Sequence, residues 1–137
     1  MRRSTIAGIA TFGVALLVAS SAWAACTQAQ LAGSWRVHVH GATAGDGSFW
    51  TRCALTIGAT GNVSGSCLTD EGDSFNLTPG GRLTVVNTTA CVITGTVRTP
   101  QGTNLIRDAA MDSGKTVISG VGIDPEGERF AFTGVKR

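Results

Sequence analysis

The fold of this chain can be read outward from residues 53–67, which have the sequence CALTIGATGNVSGSC. Apolar side chains alternate with small polar ones on both sides of a turn at residues 58–62. This is the pattern of a β-hairpin with one buried face. Counting outward from Thr60, the centre of that turn, places Cys53 opposite Cys67. Cysteines opposed on neighbouring antiparallel strands can form a disulfide, so we expect this pair to be bonded.

The two other cysteines, Cys26 and Cys91, then form the second expected disulfide and tie the N-terminal segment to the sheet. Four cysteines allow three connectivities, and a slip of one residue in the hairpin register would favour one of the other two.

The rest of the chain repeats the strand and turn pattern of the hairpin. Trp35, Val37 and Val39 alternate with polar neighbours in the first predicted strand, and about nine short strands follow one another at intervals of 8–12 residues. Every connection except 41–47 is short, which favours an antiparallel up-and-down meander. The prediction is an all-β barrel of eight or nine strands with two disulfides, and the alternative is a β-sandwich.

Three short motifs resemble the start of avidin-type and lipocalin-type barrels. LAGSW at residues 31–35 opens the first strand, LTIG at 55–58 enters the hairpin, and GNVSG at 61–65 leaves it. The resemblance covers residues 31–67. It implies a barrel in which the matching residue, Trp35, packs across the closed end.

Two functions found in families with such barrels, biotin binding and metalloprotease inhibition, are poorly matched by this sequence. Avidin-like biotin sites use several tryptophans and a tyrosine, and this chain has no tyrosine. Bacterial metalloprotease inhibitors also use such a barrel with a free N-terminal trunk. Because residues 25–31 are short for that purpose, a protease-inhibitor-like role is the third alternative.

The N-terminus predicts export. Arg2 and Arg3 precede an apolar run, IAGIATFGVALLV at residues 6–18, and Ala24 ends a small-residue cleavage motif. This is the layout of a signal peptide over residues 1–24. It predicts one domain over residues 25–137 and a secreted or periplasmic location.

Charge limits the partners of the domain. The chain has 11 Lys and Arg and 9 Asp and Glu, and loss of Arg2 and Arg3 with the signal makes the two counts equal. A neutral domain without a basic run is not typical of nucleic-acid binding. The sequence has no second long apolar segment, so we expect no membrane span in the mature domain.

Neither catalytic nor metal chemistry is indicated by the motifs. His38 and His40 lie on the strand face opposite Trp35, where we expect both to face solvent, and Asp46 is the nearest possible third ligand. No nucleophile, zinc or phosphate-loop motif occurs. The sequence therefore predicts a protein that is not an enzyme and that has no cofactor and no metal site.

The remaining function is binding at the mouth of the barrel. Phe49 and Trp50 are large aromatic residues beside the longest connection, and Asp46, Asp70 and Asp73 lie in neighbouring turns. The prediction is a binding module for a small ligand or a protein. The alternative is a structural or envelope protein whose barrel is filled by its own side chains. We expect four segments to meet at the mouth, namely 41–50, 70–73, 87–90 and 112–114.

Overall fold

The structure is a computed structural model that describes residues 25–43 and 47–137. The predicted signal peptide and Asp46 lie outside these residues. Within the described residues, one short helix precedes nine strands. In chain order the elements are α1 (Gln28–Leu31), β1 (Gly33–Thr43), β2 (Gly47–Ile57), β3 (Val63–Thr69), β4 (Ser74–Asn76), β5 (Arg82–Asn87), β6 (Val92–Thr99), β7 (Gly102–Met111), β8 (Val117–Ile123) and β9 (Arg129–Lys136).

All nine strands belong to one antiparallel sheet with the order β4-β3-β2-β1-β9-β8-β7-β6-β5. The up-and-down meander is confirmed, and the single sheet replaces the sandwich alternative. The two edges of the sheet are β4 and β5, which follow each other in the chain. Because a short connection joins these edges, the sheet curls to bring them together and forms a half-barrel. Main-chain hydrogen bonds join the starts of β3 and β5: Val63 donates to Gly81 over 3.0 Å, and Leu83 donates to Gly61 over 3.0 Å.

Strands β4 and β5 run in the same direction, as two halves of one bent segment. The N–H of Leu77 still donates to Gly65 of β3, whereas the N–H of Thr78 donates to Arg98 of β6. The turn at Pro79 therefore passes the chain from β3 to β6 without reversing it. In a simple meander each turn reverses the chain, so β5 would run opposite to β4. Because β5 instead keeps the direction of β4, each strand from β5 to β9 runs opposite to the direction that a simple meander predicts.

This corrects the predicted mouth. Residues 87–90 and 112–114 lie at the end of the sheet opposite to 41–50 and 70–73. The turns that do accompany 70–73 are 99–102 and 123–129.

The predicted loop at 41–47 is also wrong, because strand pairing continues through most of it. Gly41 pairs with Phe49 and Thr43 with Gly47, so β1 and β2 are long strands in one hairpin. The residues of this segment are small, mostly Gly, Ala and Thr, and such a composition is typical of a loop. Their partners across the hairpin keep them in the sheet, since cross-strand pairing outweighs weak local preference.

The predicted hairpin register and both disulfides are confirmed. Cys53 pairs with Cys67 on β2 and β3 and is bonded to it, and Cys26 is bonded to Cys91. All four cysteines are buried in one core with the inward-facing side chains of the sheet. Two disulfides are typical of proteins in an oxidising environment.

Candidate functional site

One end of the curled sheet is closed by α1, and we call it the capped end. Its centre is Trp35, which is 1% exposed and donates its indole N–H to the carbonyl of Leu31 over 2.8 Å. Leu31 is itself fully buried. The Lys136 ammonium lies 5.5 Å from the centre of the Trp35 ring and donates to the carbonyl of Gln30 over 2.7 Å. The indole therefore fills this end.

Polar contacts fasten the helix to the strands beneath it. The Gln28 amide donates to the carbonyl of Leu83 and accepts from the N–H of Val85, at 3.0 and 2.9 Å. The N–H of Cys26 donates to the carbonyl of Thr88 over 2.7 Å, beside the disulfide to Cys91. Because these bonds join segments far apart in the chain, the capped end is braced on several sides.

The turn after β7 also lies at the capped end and is organised by one carboxylate. Asp112 accepts hydrogen bonds from the N–H groups of Thr116 and Val117, both at 2.8 Å, and of Gly114 at 3.2 Å. The bond from Val117 contributes most to holding the pKa of Asp112 below its ordinary value, although desolvation opposes it.

The other end, which we call the open end, comprises the ends of β1 and β2 at Thr43 and Gly47 and the turns 69–74, 99–102 and 123–129. A cavity of about 150 Å³ lies inside the sheet on this side. Its wall contains aliphatic and aromatic side chains from most of the strands, and the Cys53–Cys67 disulfide. Neither Trp35 nor Leu31 lines it, so the cavity begins where the indole cap stops.

Two glycines make room for the aromatic side chains at the open end. The Phe49 ring lies over Gly41, and the Phe130 ring lies over Gly122; a Cβ at either glycine would overlap the ring. Both phenylalanines line the cavity, and Phe75 joins them from β4. The rings and the missing Cβ atoms together shape an apolar chamber that side chains do not fill.

Polar groups enter the lining only towards the open end. Thr51, Thr99, Asn104 and Asp124 line the cavity there and are partly exposed. Asp124 also organises its own turn, because one carboxylate oxygen accepts from the N–H groups of Glu126 and Glu128, at 2.9 and 2.8 Å. Apolar walls with a few convergent polar groups at one end are typical of small-molecule sites.

Acidic residues are concentrated at the same end. Of the eight that the structure describes, six lie in the 69–74 and 123–129 turns, with Arg98 and Arg129 as basic neighbours. A cleft flanked mainly by one sign of charge raises the local concentration of the opposite charge. The acidic residues of the two turns are Asp70, Glu71, Asp73, Asp124, Glu126 and Glu128.

The two predicted aromatic contacts, Phe49 and Trp50, lie on opposite faces of β2. Phe49 points inward and lines the cavity, whereas Trp50 is 42% exposed on the outer face beside His40 of β1. Successive strand residues point to opposite faces, so both could not face one site. Trp50 is therefore a feature of the outer wall and not of the cavity.

The acidic residues predicted at the mouth have structural contacts. Asp70 and Trp50 extend the β2–β3 pairing: the N–H of Asp70 donates to the Trp50 carbonyl over 3.1 Å, and the Trp50 N–H lies 3.4 Å from the Asp70 carboxylate. Asp73 accepts, through its main-chain carbonyl, from the N–H of Thr69 over 2.9 Å. Both lie at the open end without lining the cavity.

His38 and His40 lie exposed on the outer face, as expected, opposite Arg52 and Trp50 respectively. Within residues 25–43 and 47–137, no three His, Cys, Asp or Glu side chains are grouped as metal ligands would be. Sequence reasoning missed Asn104 and Asp124 as site residues. Both residues lie near the ends of predicted strands, which is the only signal in the sequence that could have placed them at the mouth. Which end of the sheet they occupy depends on the direction of β7 and β8, and the sequence did not reveal that direction.

Comparison with protein-family models, with curated proteins and with solved structures found no match. No helix in the described part of the chain is long and apolar enough to cross a membrane.

Proposed function

We propose that this protein binds a small molecule in the cavity at its open end. The observation that carries the proposal is the chamber of about 150 Å³, apolar in its depth and polar at Asn104 and Asp124. An apolar cavity of about this volume can accept a molecule the size of benzene. The free volume favours a ligand-binding role over the alternative of a structural protein with a filled barrel.

The open end also indicates the class of ligand. An apolar body fits the walls, and the six acidic residues of the adjacent turns favour a neutral or cationic polar group over a carboxylate. Asn104 can both donate and accept a hydrogen bond. The ligand class is therefore a short alkyl or aryl chain that ends in a hydroxyl or an ammonium group.

The experiment uses three ligands that share one chain: hexylamine, hexan-1-ol and hexanoate. Each is titrated into the protein while the methyl resonances of Val39, Ile106 and Ile118, which line the cavity, are followed by NMR. We expect saturable shifts, with hexylamine bound about tenfold more tightly than hexanoate at low ionic strength. If no ligand of the series shifts these methyls, the binding role is wrong and the filled-barrel role replaces it.

A pair of variants localises the binding. Val39→Phe places a ring in the cavity and should abolish the shifts, whereas Val121→Phe adds the same ring to an exposed position on the outer face and should preserve them. Shifts preserved in both variants would indicate that the ligands bind elsewhere, whereas loss in both would indicate that the fold is disturbed. Thermal unfolding of each variant separates these two causes.

We also propose that the domain works outside the cytoplasm. The two disulfides support this, because such bonds persist in oxidising compartments. Intact mass should give a mature N-terminus at Ala25 or one residue from it, and thiol titration should find no free thiol. Full-length chain with reactive thiols in the cytoplasm would contradict the proposal.

A further inference from the structure

The outer wall of the sheet carries a second concave site, which is separate from the cavity. A cleft of about 240 Å³ lies over β1 to β4, and the polar side chains in its lining are those of Arg36, Arg52, Ser66 and Ser74. We call it the arginine cleft. Because it is on the opposite face of the sheet from the cavity, it does not depend on the function proposed above.

Strand register brings the two arginines together. Arg36 of β1 lies opposite Ala54 of β2, and Arg52 of β2 lies opposite His38 of β1. Arg36 and Arg52 are therefore diagonal neighbours on one face, a separation that long side chains can span. Ser66 continues the row of Ala54 on β3, and its small side chain leaves the space beside the guanidinium groups open.

No protein group neutralises this pair. The lining of the cleft contains no Asp or Glu, and neither arginine forms an ion pair or a side-chain hydrogen bond with another residue in the described ranges. Asp70 follows Leu68 two residues later on this face and is a diagonal neighbour of Arg52, but within the described residues it forms no ion pair with Arg52 and does not line the cleft. Like charges at neighbouring positions of a sheet repel each other, so an anion between them would relieve a cost that the protein itself leaves in place.

We propose that the arginine cleft binds a small tetrahedral oxyanion, a phosphate or sulfate group. Arginine presents planar N–H donors that match the oxygens of such groups, and the two serine hydroxyls can donate further hydrogen bonds. The equal number of basic and acidic residues in the domain, and the acidic open end, argue for a free ion or small monoester over an anionic membrane.

The test is a titration of the whole protein with sodium phosphate and with sodium sulfate, against sodium chloride at matched ionic strength. The amide and arginine side-chain resonances are followed by NMR. We expect saturable shifts confined to Arg36, Arg52, Ser66, Ser74 and their neighbours. Removing one guanidinium by Arg36→Gln or Arg52→Gln should weaken the affinity about tenfold.

The matched control is Arg107→Gln, which removes an exposed arginine of β7, a strand that does not line the cleft, and should leave the affinity unchanged. Shifts no larger than those with chloride, or equal weakening in Arg107→Gln, would overturn the proposal. Vesicles of phosphatidylglycerol and of phosphatidylcholine form the last arm. Binding to the anionic vesicles without binding of free phosphate or sulfate would also overturn it, in favour of a lipid surface.

Discussion

The two ends of the sheet use aromatic side chains in different ways. At the capped end one indole, Trp35, is completely buried and is hydrogen-bonded to the helix that covers it. At the open end Phe49 and Phe130 lie against glycines and leave a cavity between them. The difference shows that this small domain concentrates its long-range bracing at one end. That division allows the other end to keep free volume.

The largest expected effect concerns the two tryptophans. Trp35→Ala should lower the free energy of unfolding by about 3–5 kcal/mol, because a large buried side chain leaves a cavity and an orphaned Leu31 carbonyl. Trp50→Ala is the matched control and should cost under about 1 kcal/mol, since that ring is on the exposed outer face. Denaturant unfolding measures both. Similar losses in the two variants would contradict the division between the ends.

The two disulfides give the next contrast. The Cys26–Cys91 bond at the capped end spans 65 residues, and the Cys53–Cys67 bond in the cavity wall spans 14. From loop entropy alone, replacing both cysteines by alanine should cost about 4 kcal/mol for the first bond and about 3 kcal/mol for the second. Denaturant midpoints of the two double variants test this. A larger loss from the hairpin bond would mean that the cavity wall, and not the capped end, is the braced region.

Leucine truncations compare the packing at the capped end with the packing of the cavity wall. Leu31→Ala, at a fully buried site beneath the helix, should cost about 2–5 kcal/mol. Leu77→Ala should cost roughly half as much, because this side chain is partly exposed and already borders the cavity. Thermal and denaturant unfolding provide the measurement. Equal costs would indicate that the cavity is closed and well packed in solution.

The smallest effect is the pH dependence from Asp112 at the capped end. Its pKa is lower in the folded protein than its ordinary value of 3.8, so its stabilising contribution is complete above that value. The contribution is lost as the pH falls from 3.8 through the lower folded-state pKa. Asp112→Asn should therefore flatten the acid limb of the stability curve. Asp108→Asn, at an exposed site on β7, is the control, and an identical curve for both variants would exclude this role.

The sequence by itself determined the local features of this protein. The hairpin at residues 53–67 has a short turn and strict alternation, so its register and the Cys53–Cys67 bond could be counted along the chain. The same alternation placed Trp35 on the buried face. These features depend on neighbours within about fifteen residues, for which strand periodicity and turn length are sufficient.

Only the tertiary structure decided which turns share an end and what lies between them. The chain does not reverse at Pro79, because Thr78 leaves β3 and bonds to Arg98 of β6, and no local pattern reports that exchange of partners. The direction of every later strand follows from it, and so does the meeting of Asp124 with Phe49 around one cavity. Alternation shows that Phe49 and Trp50 face opposite ways. The size of the inner space, however, depends on how all the strands curl together.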